Sequence, residues 1–231
     1  MCGRFAVATP LNTLIGHFEP HFPVRFDSEL EMRWRPRYNV APTQDAPAVR
    51  FLDGAGHLGL LRFGLVPHWA EEPKTGYSLI NARVETVASK PAFRAAFRRR
   101  RCLIPATGFF EWQVTKQGKQ PWYVRMRDSE LFAMAGLWEH WEGEAGVIES
   151  FAIIVTEANE RVRPIHDRMP VILAPEHYRF WLDPDNRDSE GLQRLLRPWP
   201  GEKMVAWPVS RRVNRPENDG PELLRPLHLN G

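Results

Sequence analysis

Cys2 has both the side chain and the position for carbonyl chemistry. A side chain this small after Met1 makes the Met1–Cys2 junction a substrate for methionine removal. The product begins with Cys and presents two nucleophiles on adjacent carbons. They are a thiol of ordinary pKa about 8.5 and an α-amine near about 7.7–8.0. The amine is substantially deprotonated at neutral pH, so an aldehyde meets it first and gives a Schiff base. The thiol can then close a five-membered thiazolidine. The alternative is that position 2 is an ordinary chain end.

Three more side chains belong with this chemistry. His166 lies in Arg163-Pro164-Ile165-His166-Asp167-Arg168-Met169-Pro170, a Pro-bounded polar loop that suits an acid–base group; the alternative is a surface histidine bonded to nearby backbone. Glu111 sits in the aromatic run Gly108-Phe109-Phe110-Glu111-Trp112. If buried there, desolvation raises its pKa toward neutrality and makes it a proton donor; if not, it faces outward between inward aromatics. Asn81, in Ile80-Asn81-Ala82-Arg83-Val84-Glu85-Thr86, reads by default as a cap for the following turn. Elsewhere, His17-Phe18-Glu19-Pro20-His21 has metal-type side chains, but Pro20 blocks a regular helix face, and neither a metal nor a cofactor is expected. No phosphate-binding Gly-rich loop and no Gly-x-Ser-x-Gly elbow is present. Cys102, at a strand start, reads as a buried core thiol.

The elements that must position these groups are mainly strands. Apolar runs predict strands at 48–52, 58–66, 102–113, 122–127, 131–138, 151–156, 169–173 and 204–209, with 102–113 and 122–127 joined as a hairpin through Lys116-Gln117-Gly118-Lys119. Helices are expected at 91–100, which opens on Pro91, and at 175–182 and 189–197. Strands outnumber helices without alternating regularly. The fold class is therefore α+β, with a mainly antiparallel, barrel-like β core and peripheral helices, rather than a doubly wound sheet. The 231 residues, 43% hydrophobic and 26% charged, suit a single domain over 1–231 with a tail from about 219 to 231. Two cysteines make no secreted disulfide framework, the N-terminus has no signal-peptide pattern, and the longest apolar runs are too short to span a bilayer. A soluble, cytoplasmic protein without membrane contact is expected. Twenty-one prolines against roughly 12 at typical usage imply many rigid loops.

The net charge of +3 neither demands nor excludes a nucleic-acid partner. Its distribution says more. From Arg83 to Arg101 there are seven basic residues and one acid, a net of +6 that leaves −3 for the remainder. That window is either a solvated helix end or a phosphate-facing patch.

Taken together, these segments resemble the SOS-response-associated peptidase (SRAP) domain, the family of abasic-site shield proteins. The match runs in order through Met1-Cys2-Gly3-Arg4-Phe5, Tyr38-Asn39-Val40-Ala41-Pro42-Thr43, Gly64-Leu65-Val66-Pro67-His68-Trp69 and Asn81 to Thr86. It continues through Cys102 to Ala106, Gly108 to Trp112, Ala135-Gly136-Leu137-Trp138, His166 to Pro170, Val209-Ser210 and Val213-Asn214. Phe63 departs from the Trp frequent before the Gly-Leu-x-Pro segment, which touches one packing or stacking contact. Met1 must be absent from the active form. The resemblance implies a thiazolidine DNA–protein crosslink between Cys2 and the aldehyde of an abasic site in single-stranded DNA. It further implies Glu111 in ring opening and Schiff-base proton transfers, His166 as proton shuttle and Asn81 holding the adduct. Arg4 and Arg83 become phosphate or sugar contacts, and Asn39 and Trp69 groove-lining DNA-binding positions. Replication-fork proteins are candidate partners, the chain is expected to act as a monomer, and its location to be the nucleoid when on DNA. Two other function classes stay open: an N-terminal-nucleophile peptidase acting mainly on itself, with lyase activity a further possibility of the first class, and a non-catalytic single-strand-binding module.

Overall fold

Residues 101–106, 132–138 and 151–156 lack polar alternation, as strands buried on both faces do. In the computed structural model, which describes residues 2–26, 28–73, 78–144 and 146–227, these runs form the wall of a barrel. The strands are β1 (Phe5–Val7), β2 (Val24–Phe26), β3 (Arg37–Val40), β4 (Asp45–Leu52), β5 (Ala55–Phe63), β6 (Asn81–Arg83) and β7 (Arg101–Ala106). They continue as β8 (Gly108–Thr115), β9 (Gly118–Met126), β10 (Phe132–Gly143), β11 (Gly146–Glu157), β12 (Arg168–Pro170), β13 (Ile172–Leu173) and β14 (Met204–Pro208). The helices are α1 (Leu11–Phe18), α2 (Ser28–Arg33), α3 (Pro91–Arg99), α4 (Tyr178–Leu182) and α5 (Ser189–Arg194).

Antiparallel pairing runs β5–β4–β7–β10–β11, and a parallel pairing of β11 with β5, Ser150 opposite Arg62 and Phe151 opposite Phe63, closes the ring. A second, antiparallel sheet has the order β14–β9–β8–β1–β3. Aromatic packing joins the two: Phe63 stacks on Phe151 with centroids 5.1 Å apart, and Phe5 of β1 meets Phe63 edge-on at 5.6 Å. The Phe63 departure is therefore a core contact, wholly buried. Such aromatic pairs add about 0.5–1.5 kcal/mol beyond their buried area.

The α+β barrel-like class holds, and the hairpin is β8–β9, with Gly118 at φ +100° in its turn. The expected strand 102–113 is instead two strands in different sheets. The chain leaves the barrel at Thr107, whose backbone N–H donates to Ala6 and whose hydroxyl accepts from Ala8 N–H at 3.1 Å. Gly108 is required at that crossing, because a Cβ there would lie 2.3 Å from the Tyr123 ring. The strand 169–173 likewise divides, β12 pairing with β11 and β13 with β10. The helix 175–182 opens as a 3-10 turn at Pro175–His177, and 189–197 stops at Arg194. From Asp219 to Leu227 the tail is docked: Leu223 is buried and Leu227 N–H donates to Pro208. Residues 228–231 and Met1 lie outside the described residues. No helix among those described is long and apolar enough to cross a membrane.

Candidate functional site

The short strand β1 delivers Cys2. Phe5 pairs with Val40 on one side and Phe109 on the other, and Phe110 N–H donates to the Arg4 carbonyl at 2.9 Å. The N-terminal segment thus lies along 109–111, and Cys2 is buried where the Glu111 charge reaches it. Burial first, then that negative charge, push the Cys2 thiol well above its ordinary range. The thiol stays protonated. Glu111 shares its strand face with Phe109, so it points toward the core side, not outward. It is only 1% exposed, and burial raises its pKa to about 7.

His166 closes the other side, Nε2 standing 3.9 Å from Glu111 Oε2. Its Nδ1 accepts the Arg168 backbone N–H at 3.0 Å. Asp167 Oδ1 is equally near but exposed and screened, so the fixed backbone donor sets the neutral tautomer and leaves the proton on Nε2, facing Glu111. Burial lowers the imidazole pKa and reinforces neutrality. Asn81 does not cap a turn. Its Nδ2 donates to the Cys2 carbonyl at 2.9 Å, while its buried Oδ1 has no donor among the described residues. A buried acceptor left so is an open place for an N–H or O–H.

From Asn81 a cleft of about 650 Å³ opens, lined among others by Arg83, Thr86, Ser89 and Lys90. Arg83 is exposed on it. Glu85 pairs with Arg168, tying the segment after β6 to the His166 loop. Arg4 and Asn39 form the site's wall. Arg4 Nη1 donates to Asn39 Oδ1 at 2.8 Å and to the Val213 carbonyl at 2.6 Å, and its guanidinium lies 5.9 Å from the Trp112 ring. Asn39 is wholly buried, with Nδ2 directed at the carbonyls of Val213, Arg215 and Asn218. It clasps the 213–218 turn from within and has no exposed face. Asn39→Ala strips the amide donor from the Asn218 carbonyl and the acceptor from one Arg4 N–H, while the Val213 and Arg215 carbonyls keep Arg4 and the Asn218 N–H. It should lower stability by about 2–4 kcal/mol, read as a shifted urea midpoint at unchanged slope.

Trp69 is 57% exposed on a loop that sequence reasoning left without support. The support comes from β10 and β11: Val66 N–H donates to Ser150 Oγ at 2.8 Å, and Trp141 Nε1 to the Ala70 carbonyl at 2.7 Å. Glu139, its side chain 3% exposed, binds Arg100 Nη2 at 2.6 Å and stands 3.5 Å from His68 Nδ1. A lone carboxylate in the apolar run Ala133-Met134-Ala135-Gly136-Leu137-Trp138-Glu139 was the signal for it. The arginines that end the 83–101 window do not act as one surface, whether solvated or phosphate-facing. Arg101 is 1% exposed and donates to the carbonyls of Phe97, Arg98, Trp181 and Asp183, while Arg100 is held by Glu139. Arg98 and Arg99 face solvent. His17, the first of the metal-type trio, instead meets the Tyr178 hydroxyl at 3.0 Å, and burial lowers its pKa to about 4.

The arrangement joins a terminal cysteine, a carboxyl group poised near neutrality, a neutral imidazole, an open amide acceptor and a basic cleft. Known proteins resemble this chain over nearly its whole length. The chain is 43% identical over 229 residues to abasic site processing protein YoaM of Bacillus subtilis, covering 97% of each. It is 30% identical to abasic site processing protein YedK of Escherichia coli, over 98% of this chain and 100% of that one. A crystal structure of a protein from Bacteroides thetaiotaomicron superposes with a TM-score of 0.86 at 25% identity, over 98% of this chain and all of the other. Residues 1–216 match the family model of the SOS response associated peptidase (SRAP), and the chain belongs to that family.

Proposed function

We propose that this protein processes abasic sites in single-stranded DNA by linking itself covalently to them through Cys2. Removal of Met1 turns the Cys2 amide nitrogen into a free amine. That amine adds to the C1′ aldehyde of the ring-opened deoxyribose, and the carbinolamine loses water to give an imine. The thiol then adds across C=N: the S–C bond forms, the proton passes to nitrogen, and the five-membered ring is complete. A thiol held protonated leaves the first attack to the amine and carries the proton the second step needs.

Glu111, with a pKa of about 7, exists in both forms at working pH, so it gives a proton to the departing hydroxyl and takes one from the amine. The neutral His166, its Nε2 proton directed at Glu111, relays protons to and from it. Asn81 Oδ1 accepts from the amine or a sugar hydroxyl. Arg83 meets phosphate in the cleft, Trp69 offers a stacking surface to a flanking base, and Arg4 with Asn39 keeps the wall in place. An abasic nucleotide enters without a base to unstack. Ring closure removes the electrophilic C=N bond and shields the strand from β-elimination.

The observation that carries the reading is a buried Cys2 within reach of the Glu111 charge, its carbonyl held by Asn81, which itself lines a basic cleft. Relatives named as abasic site processing proteins support it. The test is incubation with a uracil-containing single strand treated with uracil glycosylase, followed by a denaturing gel. A retarded band only with the treated strand is expected; no band, or the same band with untreated strand, overturns the reading.

A further inference from the structure

Helix α3 is charged against its own interest. Its N-cap is Lys90, its first turn holds no acid, and no side chain caps its amide groups. Helix dipoles favour anions at that end. Lys90, Arg94 and Arg98 follow one another at four-residue spacing on the exposed face, opposite the buried Phe93, Ala96 and Phe97. Like charges so placed repel by about 0.2–0.5 kcal/mol per pair. Among the described residues no carboxylate lies within ion-pair distance of Lys90, Arg94, Arg98 or Arg99. Lys90 lies 5.4 Å over the Phe93 ring and the last-turn Arg98 and Arg99 suit the dipole, but among the described residues no anion answers the stripe.

The stripe joins two clefts. Lys90 lines the one that opens from Asn81, and Arg98 lines another of about 340 Å³, where Arg99 and Arg187 supply charge and Phe97 and Leu192 the floor. Arg187 is exposed, and its one ion-pair partner among the described residues, Asp185 at 3.5 Å, is 91% exposed and screened. The buried Arg101 holds the second cleft together by bonding the C-terminal turn of α3 to the carbonyls at the end of α4. The run of arginines thus divides by role: Arg101 is framework, and Arg98 and Arg99 are surface.

We propose that α3 is a phosphate track, and that the Arg98–Arg99–Arg187 cleft is a second backbone-binding site for the same DNA strand whose abasic nucleotide enters beside Asn81. This rests on the single-strand reading above. Eight residues of helix span about 12 Å, and at one phosphate per roughly 3.4 Å of stacked strand the track covers about three phosphates. Arginine forks suit phosphate oxygens, and contacts of this kind fix position without reading sequence.

The test uses a Cys2→Ala background, so that no covalent capture interferes, and unmodified oligothymidylates of about 6 and about 16 nucleotides, within the range of single-strand site sizes. Combining Arg94→Gln, Arg98→Gln and Arg99→Gln should flatten the plot of log affinity against log salt by about 2 for the long probe, at about 0.7 per lost contact. The short probe, seated in the first cleft, should change by clearly less. Arg187→Gln alone should flatten the long-probe plot by about 0.7, and serves in its place if the triple variant does not fold. An unchanged slope with the long probe, or an equal change with both probes, overturns the track. Because no thiol and no abasic site is used, the result stands apart from the crosslinking reading, which fails separately if bound wild-type protein forms no adduct.

Discussion

A Cys2→Ala chain treated with an abasic single strand gives no band on a denaturing gel, unless borohydride is present to reduce the imine. Alanine keeps the α-amine after Met1 removal, so the first addition and the loss of water still proceed. What is lost is the sulfur that closes the ring, and the imine reverts in water. Wild-type protein gives a band with or without the reductant. Cys2→Ser, with a less nucleophilic hydroxyl, falls between the two and gives a weaker, less durable band. Stable, reductant-independent crosslinking by Cys2→Ala would falsify the role given to the thiol. It would also leave the alternatives to be separated by mass spectrometry of protein made without methionine aminopeptidase: loss of Met1 there supports a self-acting peptidase.

Glu111→Gln should separate stability from chemistry. Glutamine fills the same buried space and cannot hold or release a proton, so crosslinking should slow by about 10²–10⁴-fold with binding to intact strands largely kept. Stability moves the other way. Between the ordinary carboxyl value of 4.5 and the folded value of about 7, the folded chain binds a proton that the unfolded chain has released. Wild-type stability therefore falls as pH rises through that window, by up to about 3 kcal/mol for this group, and glutamine escapes the loss. Urea midpoints of the two chains should agree below about pH 4.5 and diverge in favour of the variant toward pH 8. Parallel pH profiles would show that Glu111 is not held protonated by its surroundings. Abolished binding to intact strands would make its role structural.

The barrel was legible because its strands are long and apolar throughout, and the β8–β9 hairpin because its turn residues are explicit. Sequence patterning does not show β1, β3 and β6, which have three or four residues, too few for a period, and it also leaves α1 unmarked. Yet β1 and β6 carry Cys2 and Asn81 into place. The chemistry proposed for Cys2, Glu111 and His166 rests on residue type, whereas their meeting depends on β1 lying between β3 and β8, a long-range pairing. Asn39 shows the limit from the other side. Its position in a motif made it a groove residue, but three carbonyls from the C-terminal turn claim its amide. Arg101 was misplaced for the same reason, since a run of four arginines does not say which one turns inward.

The clasp between Asn39 and the 213–218 turn has a consequence in time. The sheet that contains β1 also contains β14, near the other end of the chain, and the clasp on Asn39 is incomplete until residue 218 has been made. At roughly 5–20 residues per second, that is roughly 10–40 s after the N-terminus emerges. Under the proposal above, that interval is a window for removing Met1 before the wall beside Cys2 is complete. The segment that docks on Arg4 and Asn39 is thus among the last to be synthesised, so the order of translation sets when the wall two residues from Cys2 is completed.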